Sequence, residues 1–540
     1  MLALLRSCVV ATVLLVSLQH TRHQEDTQSP ASDSGLAAAN QLYRAGKFAD
    51  AEASYQAVLK NDSKLVPAQV GLVRAMLGQQ KLDEALTVVN TALVVQPNSA
   101  ALLAAKGDVQ FRRGEMSDAE MSYLAAEKQD PKEVRAHLGL ARLYVSSSLY
   151  RNAYNQLQIA HTIAPDDFEV QAAWMATLPP KQQLAAMDSY LASLHPDQEE
   201  EKKSATARFE FLKTIADQPN HACRLVSKVD HTETKLRSVN TGSGNKRGVG
   251  LATKINDRNV LLLVDTGASG IVVDRHFAKK ARLTRISAAY RRGIRDHGPQ
   301  SGYRAVADNI RVGDLEFNDC VVVVTDKPGA EGLIGTDVFA SYLVDLDFRE
   351  MQLKLTPLPK RPEDVVAPTS LNCETEVPGS VEQQVPSPQS PQPLHRNRYA
   401  APEMVNWTRV FRFEHMLLVP TRVNESKPML FTIDTGSHFN VLSVRAGQQA
   451  SKVHFREQLL LSPSMGYVNK VFSSSKATLR FAHLVQENRD VITVDLADMN
   501  RQIGTEVSGF LGFEVLTQLE LKLDYRDGLV DFEYNPKRRR

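Results

Sequence analysis

The sequence of 540 residues predicts a multidomain α and β chain: an all-α helical repeat array followed by two all-β units. Three observations predict this. From about Ala37, small and apolar residues return at helical spacing with a period of 34 residues. After Pro219 the alternation changes to period two. Within that β-patterned half one local pattern occurs twice, as LLLVDTGASGIVV at Leu261–Val273 and as MLFTIDTGSHFNVL at Met429–Leu442.

The chain is too long for one ordinary core. Its formal net charge of +2 gives no reason to expect a nucleic-acid partner, and a hydrophobic content of 43% is ordinary for globular protein. Residues 1–20 carry Arg6 and then the apolar run Cys8–Leu18, the length of a signal-peptide core and too short for a membrane span. They read as a signal peptide or an anchor. The chain is therefore expected to be exported, periplasmic or secreted, with membrane attachment only if this segment stays uncleaved. Residues 21–36 are polar and read as a linker.

Residues 37–218 form the helical section. Phe48 recurs as Leu82, Met116 and Tyr150, and Ala51 as Ala85, Ala119 and Ala153. Ser63 is followed by Pro97, Pro131 and Pro165. Two helices per unit need a small residue where they cross and often a proline where the second ends. The pattern resembles the tetratricopeptide repeat, best in GKFADAEASYQAVL and GEMSDAEMSYLAAE; the fourth copy has Ser148 where the first and third have Gly46 and Gly114. The resemblance implies a right-handed solenoid with a concave face. That face is either a docking surface for a protein partner or part of a spacer that positions the two β units. Later helical stretches, broken at Pro179-Pro180, read as capping helices.

Residues 219–361 form the first β unit, with Asn256-Asp257 as the hairpin turn leading into the strand that carries Asp265. Residues 362–398, rich in Pro, Gln and Ser, read as a linker. Residues 399–536 form the second β unit and 537–540 a solvated basic tail.

In each unit a β-prone run ends in Asp-Thr-Gly, which sets a carboxylate at a turn where glycine admits another backbone. Two such turns brought face to face would force two carboxylates to share a proton. Each unit also carries a later apolar-apolar-Gly, Leu333-Ile334-Gly335 and Phe510-Leu511-Gly512. A closing hairpin comes next in both, with Asp347-Phe348 matched by Asp524-Tyr525. This set resembles the retropepsin and pepsin group of aspartic proteases. The resemblance implies two retropepsin-like lobes and an aspartic endopeptidase whose dyad is Asp265 and Asp434, acting on a water between them. It implies that Thr266 and Thr435 tie the two loops together, that Gly267 and Gly436 bring backbone N–H groups to the carboxylates, and that Gly335 and Gly512 pass close beside the loops. A flap is implied in each lobe, with Tyr303 and Tyr467 as its aromatic candidates. The substrate would be a peptide or protein. No metal or organic cofactor is implied, since carboxylates activate the water. Whether the lobes pair within one chain or between chains stays open, as does activity of the second lobe, where His438-Phe439 follow Ser437.

The alternative is a non-catalytic tetratricopeptide binding protein with inactive protease-like lobes, distinguished by whether a pepstatin-type transition-state analogue binds. With Cys8 removed, Cys223, Cys320 and Cys373 form no zinc pattern, and no disulfide framework is expected.

Overall fold

The computed structural model describes residues 30–178, 180–193, 202, 205–206, 209–210, 213, 223–240, 247–291, 300–326, 332–362, 396–450, 453–456, 459–462, 466–468 and 471–534. The segment read as a signal peptide or anchor, nearly all of the Pro/Gln/Ser-rich linker and the basic tail lie outside the described residues.

The helical half follows the 34-residue period. Helices α1 (Pro30–Arg44), α2 (Phe48–Asn61), α3 (Val66–Gly78), α4 (Leu82–Val95), α5 (Ala100–Arg112), α6 (Met116–Gln129), α7 (Val134–Ser146) and α8 (Tyr150–Ile163) form four antiparallel pairs. Two more, α9 (Phe168–Met175) and α10 (Pro180–Ser193), come after them. The first helix starts at Pro30, inside the stretch expected to be a linker, because Leu36 and Leu42 pack onto the first repeat's core. Ala51, Ala85, Ala119 and Ala153 are buried where paired helices cross. The Tyr55 ring lies against Gly71, and the Tyr123 ring against Gly107 and Gly139, leaving no room for a side chain there. The turn inside each pair needs one left-handed residue: Gly46 (φ 70°), Gln80 (φ 63°), Gly114 (φ 73°) and Ser148 (φ 56°).

The first β unit comprises β1 (Arg224–Leu225), β2 (Thr232–Asn240), β3 (Arg247–Ile255), β4 (Arg258–Val264), β5 (Ile271–Asp274), β6 (Thr284–Arg291), β7 (Gln300–Val312), β8 (Leu315–Thr325), β9 (Gly332–Ile334), β10 (Tyr342–Asp347) and β11 (Gln352–Pro357). Asn256 and Asp257 both adopt positive φ between β3 and β4, the geometry a two-residue hairpin turn demands. The second unit comprises β12 (Thr408–Arg409), β13 (Phe411–Phe413), β14 (Met416–Val423), β15 (Met429–Asp434), β16 (Val441–Ser443), β17 (Val453–Arg456), β18 (Leu459–Ser462) and β19 (Gly466–Val468). It continues with β20 (Val471–Phe481), β21 (Leu484–Val494), β22 (Gly509–Gly512), β23 (Glu520–Asp524) and β24 (Leu529–Glu533).

The same crossing occurs in both units. β9 inserts between β4, to which it is parallel, and β5, to which it is antiparallel. β22 inserts in the same way between β15 and β16. The closing hairpins β10–β11 and β23–β24 join through an antiparallel β10–β23 pairing, so one sheet runs through both units.

One expectation is corrected. Cys223 and Cys320 form a disulfide. They are 97 residues apart, and it is the pairing of β1 with Phe317 and Asn318 of β8 that brings them together. No spacing rule in the sequence encodes that register.

The solenoid is not a free appendage. Phe111, Met116, Tyr123, Leu140 and Tyr144 share one apolar cluster with Met416, Leu430, Val441, Val494, Val507 and Phe510 of the second unit. Glu506 N–H donates to the Arg112 carbonyl at 2.9 Å, and Thr505 Oγ1 to the Phe111 carbonyl at 2.6 Å. Arg445 bridges Glu506 and Glu115 across the same seam.

Gln80 tests the turn argument, since it holds left-handed backbone and its amide nitrogen is buried without a hydrogen-bond partner. Gln80→Gly should raise stability by about 1 kcal/mol, read as a higher Tm by calorimetry. An unchanged or lower Tm would contradict the account of the turn.

Candidate active site

The two Asp-Thr-Gly turns meet because each completes the other's hydrogen bonding. Thr266 N–H donates to Thr435 Oγ1 at 3.0 Å, and Thr435 N–H to Thr266 Oγ1 at 2.9 Å. Thr266 Oγ1 donates to the Ile433 carbonyl at 2.8 Å, and Thr435 Oγ1 to the Val264 carbonyl at 2.9 Å. All four bonds are buried and join the two units. Each is worth about 1 kcal/mol net, and leaving any of these groups unpaired would cost more.

That lock sets Asp265 and Asp434 side by side. Both are nearly buried, at 3% and 4% exposure, and their carboxyls are hydrogen-bonded to each other. Gly267 N–H donates to Asp265 Oδ1 at 3.0 Å. Gly436 and Ser437 N–H both donate to Asp434 Oδ1, at 2.9 and 3.0 Å. Burial, and then the charge of Asp265, push the Asp434 carboxyl well above the usual carboxylate range, against the pull of the Ser437 and Gly436 N–H groups. Two carboxyls this close cannot both be charged, so the pair shares a proton.

The glycines are there for lack of space. A Cβ at Gly267 would lie 2.8 Å from the Asp434 carboxylate, and one at Gly436 2.5 Å from that of Asp265. Gly335 passes so close to the Ala268 carbonyl that a Cβ would sit 2.3 Å away, and Gly512 to the Phe439 carbonyl at 2.2 Å.

Of the aromatic flap candidates, Tyr303 is not at a hairpin tip. It lies in β7, opposite Ala288 of β6 and Val324 of β8, with the guanidinium groups of Arg275 and Arg285 over its ring. Tyr467 lies in the short β18–β19 hairpin, opposite Leu460.

Several contributors had no signal in the sequence. Asp337 accepts from Ser269 Oγ at 2.8 Å and Gly270 N–H at 2.9 Å, which braces the first turn. In the second turn Asn440 Oδ1 accepts from Gly512 N–H at 2.8 Å. His415 reaches from the second unit to the Gly267 carbonyl, with Nε2 at 3.1 Å. These are single polar residues in turns, loops or, for Asp337, a short 3₁₀ helix, and only the crossing of strands makes them neighbours.

Between α1, α3 and the start of α9, a cavity of about 530 Å³ is lined by Asn40, Tyr43, Arg44, Val70, Arg74 and Phe168. Glu169 of α9 pairs with Arg74 of α3 and with Arg135 and Arg142 of α7. Burial opposes its charge, but Arg135, Arg74 and Arg142 together bring the carboxyl down to about 2. Among the described residues no helix is long and apolar enough to cross a membrane.

The aspartyl protease family model matches residues 251–338, and two tetratricopeptide repeat models match residues 42–109 and 105–167. No curated protein matches. Similar solved structures include a thermophilic TPR protein of Thermus thermophilus, 17% identical with TM-score 0.28, covering 34% of this chain and 98% of that one. A tetratricopeptide repeat protein from Parabacteroides merdae is 18% identical with TM-score 0.25, covering 36% and 82%. The Thermobaculum terrenum O-GlcNAc transferase is 20% identical with TM-score 0.22, covering 25% of this chain and 27% of that one. The chain therefore carries tetratricopeptide repeats and an aspartyl-protease-like domain.

Two outcomes test the geometry. Gly436→Ala should push the carboxylates apart and abolish binding of a pepstatin-type analogue; binding within about threefold of wild type would refute the close approach. Asp434, its carboxyl raised on folding, adds stability below the ordinary aspartate range and loses it as pH rises. Asp434→Asn should therefore melt above wild type near pH 8, with the gap narrowing toward pH 4. A gap that widens on acidification would reverse the assigned shift.

Proposed function

We propose that this chain is an aspartic endopeptidase, its site built from both β units of a single chain, with Asp265 and Asp434 as the catalytic dyad. The observation that carries this reading is the reciprocal Thr266–Thr435 bonding, which sets two buried carboxyls in hydrogen-bond contact, where both cannot be charged at once. In that arrangement ionised Asp265 takes a proton from a water placed between the carboxyls. Asp434 donates a hydrogen bond to the scissile carbonyl, and the resulting tetrahedral species collapses with proton transfer to the leaving amine. The pair titrates as a unit. Thr266, Thr435, Gly267, Gly436, Gly335 and Gly512 hold the loops, and the β6–β7 and β18–β19 hairpins are the flap candidates.

The Cys223–Cys320 disulfide supports export to an oxidising compartment. The cavity between α1, α3 and α9 supports a docking role for the solenoid. Of the arginines that line it, Arg74 already pairs with Glu169, so a protein partner must compete with that residue or use the apolar wall at Val70 and Phe168.

The test is peptidase activity of the full chain over a pH series, beside Asp265→Asn and Asp434→Asn. The full chain is needed because removing the solenoid would expose the apolar face built around Met416, Leu430 and Phe510. Both variants should lose at least about a thousandfold in kcat/KM. Loss in one variant alone would point to self-pairing of one unit between chains. A folded wild type with no activity at any pH, and no affinity for a pepstatin-type analogue, would leave the non-catalytic binding protein as the reading.

A further inference from the structure

The two halves of the site share the same strand crossing, yet one contact differs in kind between them. In each half, the residue after the close-passing glycine meets the residue next after the first strand of the other unit's closing hairpin. Behind Asp265, Thr336 Oγ1 is hydrogen-bonded to Tyr525 Oη at 2.6 Å, and both residues are fully buried. Behind Asp434, the equivalent positions hold Phe513 and Phe348, whose rings pack edge to face with centroids 6.1 Å apart. One contact is a hydroxyl pair and its mirror is purely aromatic.

We propose that Tyr525 and Thr336 are positioning residues that make the dyad unsymmetrical, favouring the ionised carboxylate at Asp265 and leaving the proton at Asp434. This rests on the endopeptidase reading and assigns the acid and base roles within it. Thr336 directly follows Gly335, which is wedged against the Ala268 carbonyl, and Ala268 N–H donates back to the Asp265 carbonyl at 3.1 Å. Gly335 N–H donates to the Gly270 carbonyl at 2.8 Å. The Tyr525 anchor therefore reaches the Asp265 turn through two backbone contacts. Fixing that turn keeps the Gly267 N–H on the Asp265 carboxylate, which favours its ionised form, whereas the edge-to-face rings behind Asp434 supply no hydrogen bond. Asp337, on Ser269 and Gly270, and His415, on the Gly267 carbonyl, are the titratable groups facing the same turn. The direction agrees with the raised Asp434 carboxyl, and the Tyr525 hydroxyl itself is pushed up by burial. The Tyr525 carbonyl is itself held within the second unit, accepting from Arg412 Nη1 of β13 at 3.1 Å.

The experiment compares the wild-type full chain with Tyr525→Phe, Thr336→Val and Thr336→Ser. Phe keeps the ring and Val the branched shape, so both remove the bond with little change in packing. Each should lower kcat by about threefold to tenfold with KM within about twofold. Each should also move the acid limb of the kcat/KM profile to higher pH, because Asp265 then ionises less readily. Thr336→Ser, which keeps the hydroxyl, should restore both. A carboxyl NMR titration of the aspartates, assigned with Asp265→Asn, reads the pair without turnover and should show the same displacement. Wild-type-like kcat and pH limb in Tyr525→Phe, with Asp265→Asn inactive, would overturn this proposal and leave the endopeptidase reading intact. An inactive wild type whose carboxyl titration still shifts in Tyr525→Phe would fail the endopeptidase reading and uphold the positioning. An unshifted titration would overturn the positioning in either case.

Discussion

The reciprocal hydrogen bonding of Thr266 and Thr435 is the constraint on which the rest of the structure depends. Each threonine gives its N–H to the other's hydroxyl and its hydroxyl proton to a carbonyl of the other unit. Neither turn can satisfy its buried polar groups alone, so the turns are stable only as a pair. Everything larger serves to hold that register. The β10–β23 pairing welds the closing hairpins into one sheet, and the Arg361–Asp527 ion pair, with Tyr399 N–H on the same carboxylate, fastens the end of the first unit and the start of the second to one residue.

Asymmetry then arises from side chains rather than backbone. The crossing strands are alike in the two units, but Asp337 braces one turn and Asn440 the other. A hydroxyl pair lies behind Asp265 and an aromatic pair behind Asp434. Two identical carboxyls so close cannot both be charged, and small differences in their surroundings are enough to choose between them.

The solenoid belongs to the same mechanical unit. Its α5 C-terminus is hydrogen-bonded to residues 505–506, a few residues before β22, the strand that runs beside Asp434. Its repeats were legible because the period writes itself into the sequence: Ala51, Ala85, Ala119 and Ala153 are all buried where helices cross. The early start at Pro30 was not, since a polar helix face and a polar linker look the same. Nor was the docking of the repeats on the second unit, since Met416, Leu430 and Val494 read as ordinary strand residues whichever surface they cover.

By itself the sequence determined the local elements and the pairs of special residues. Period 34 specified the helix pairs, period two the strands, and the doubled Asp-Thr-Gly with its later glycine identified which carboxylates, threonines and glycines come together. Those features are local, or repeated at fixed spacing, so a linear reading captures them. Tertiary structure alone decided the Cys223–Cys320 bridge, the reach of His415 to Gly267, the Asp337 and Asn440 braces and the Thr336–Tyr525 bond. Most of these join residues far apart in the chain, and all lie where strand crossing and register, rather than residue type, set the distance.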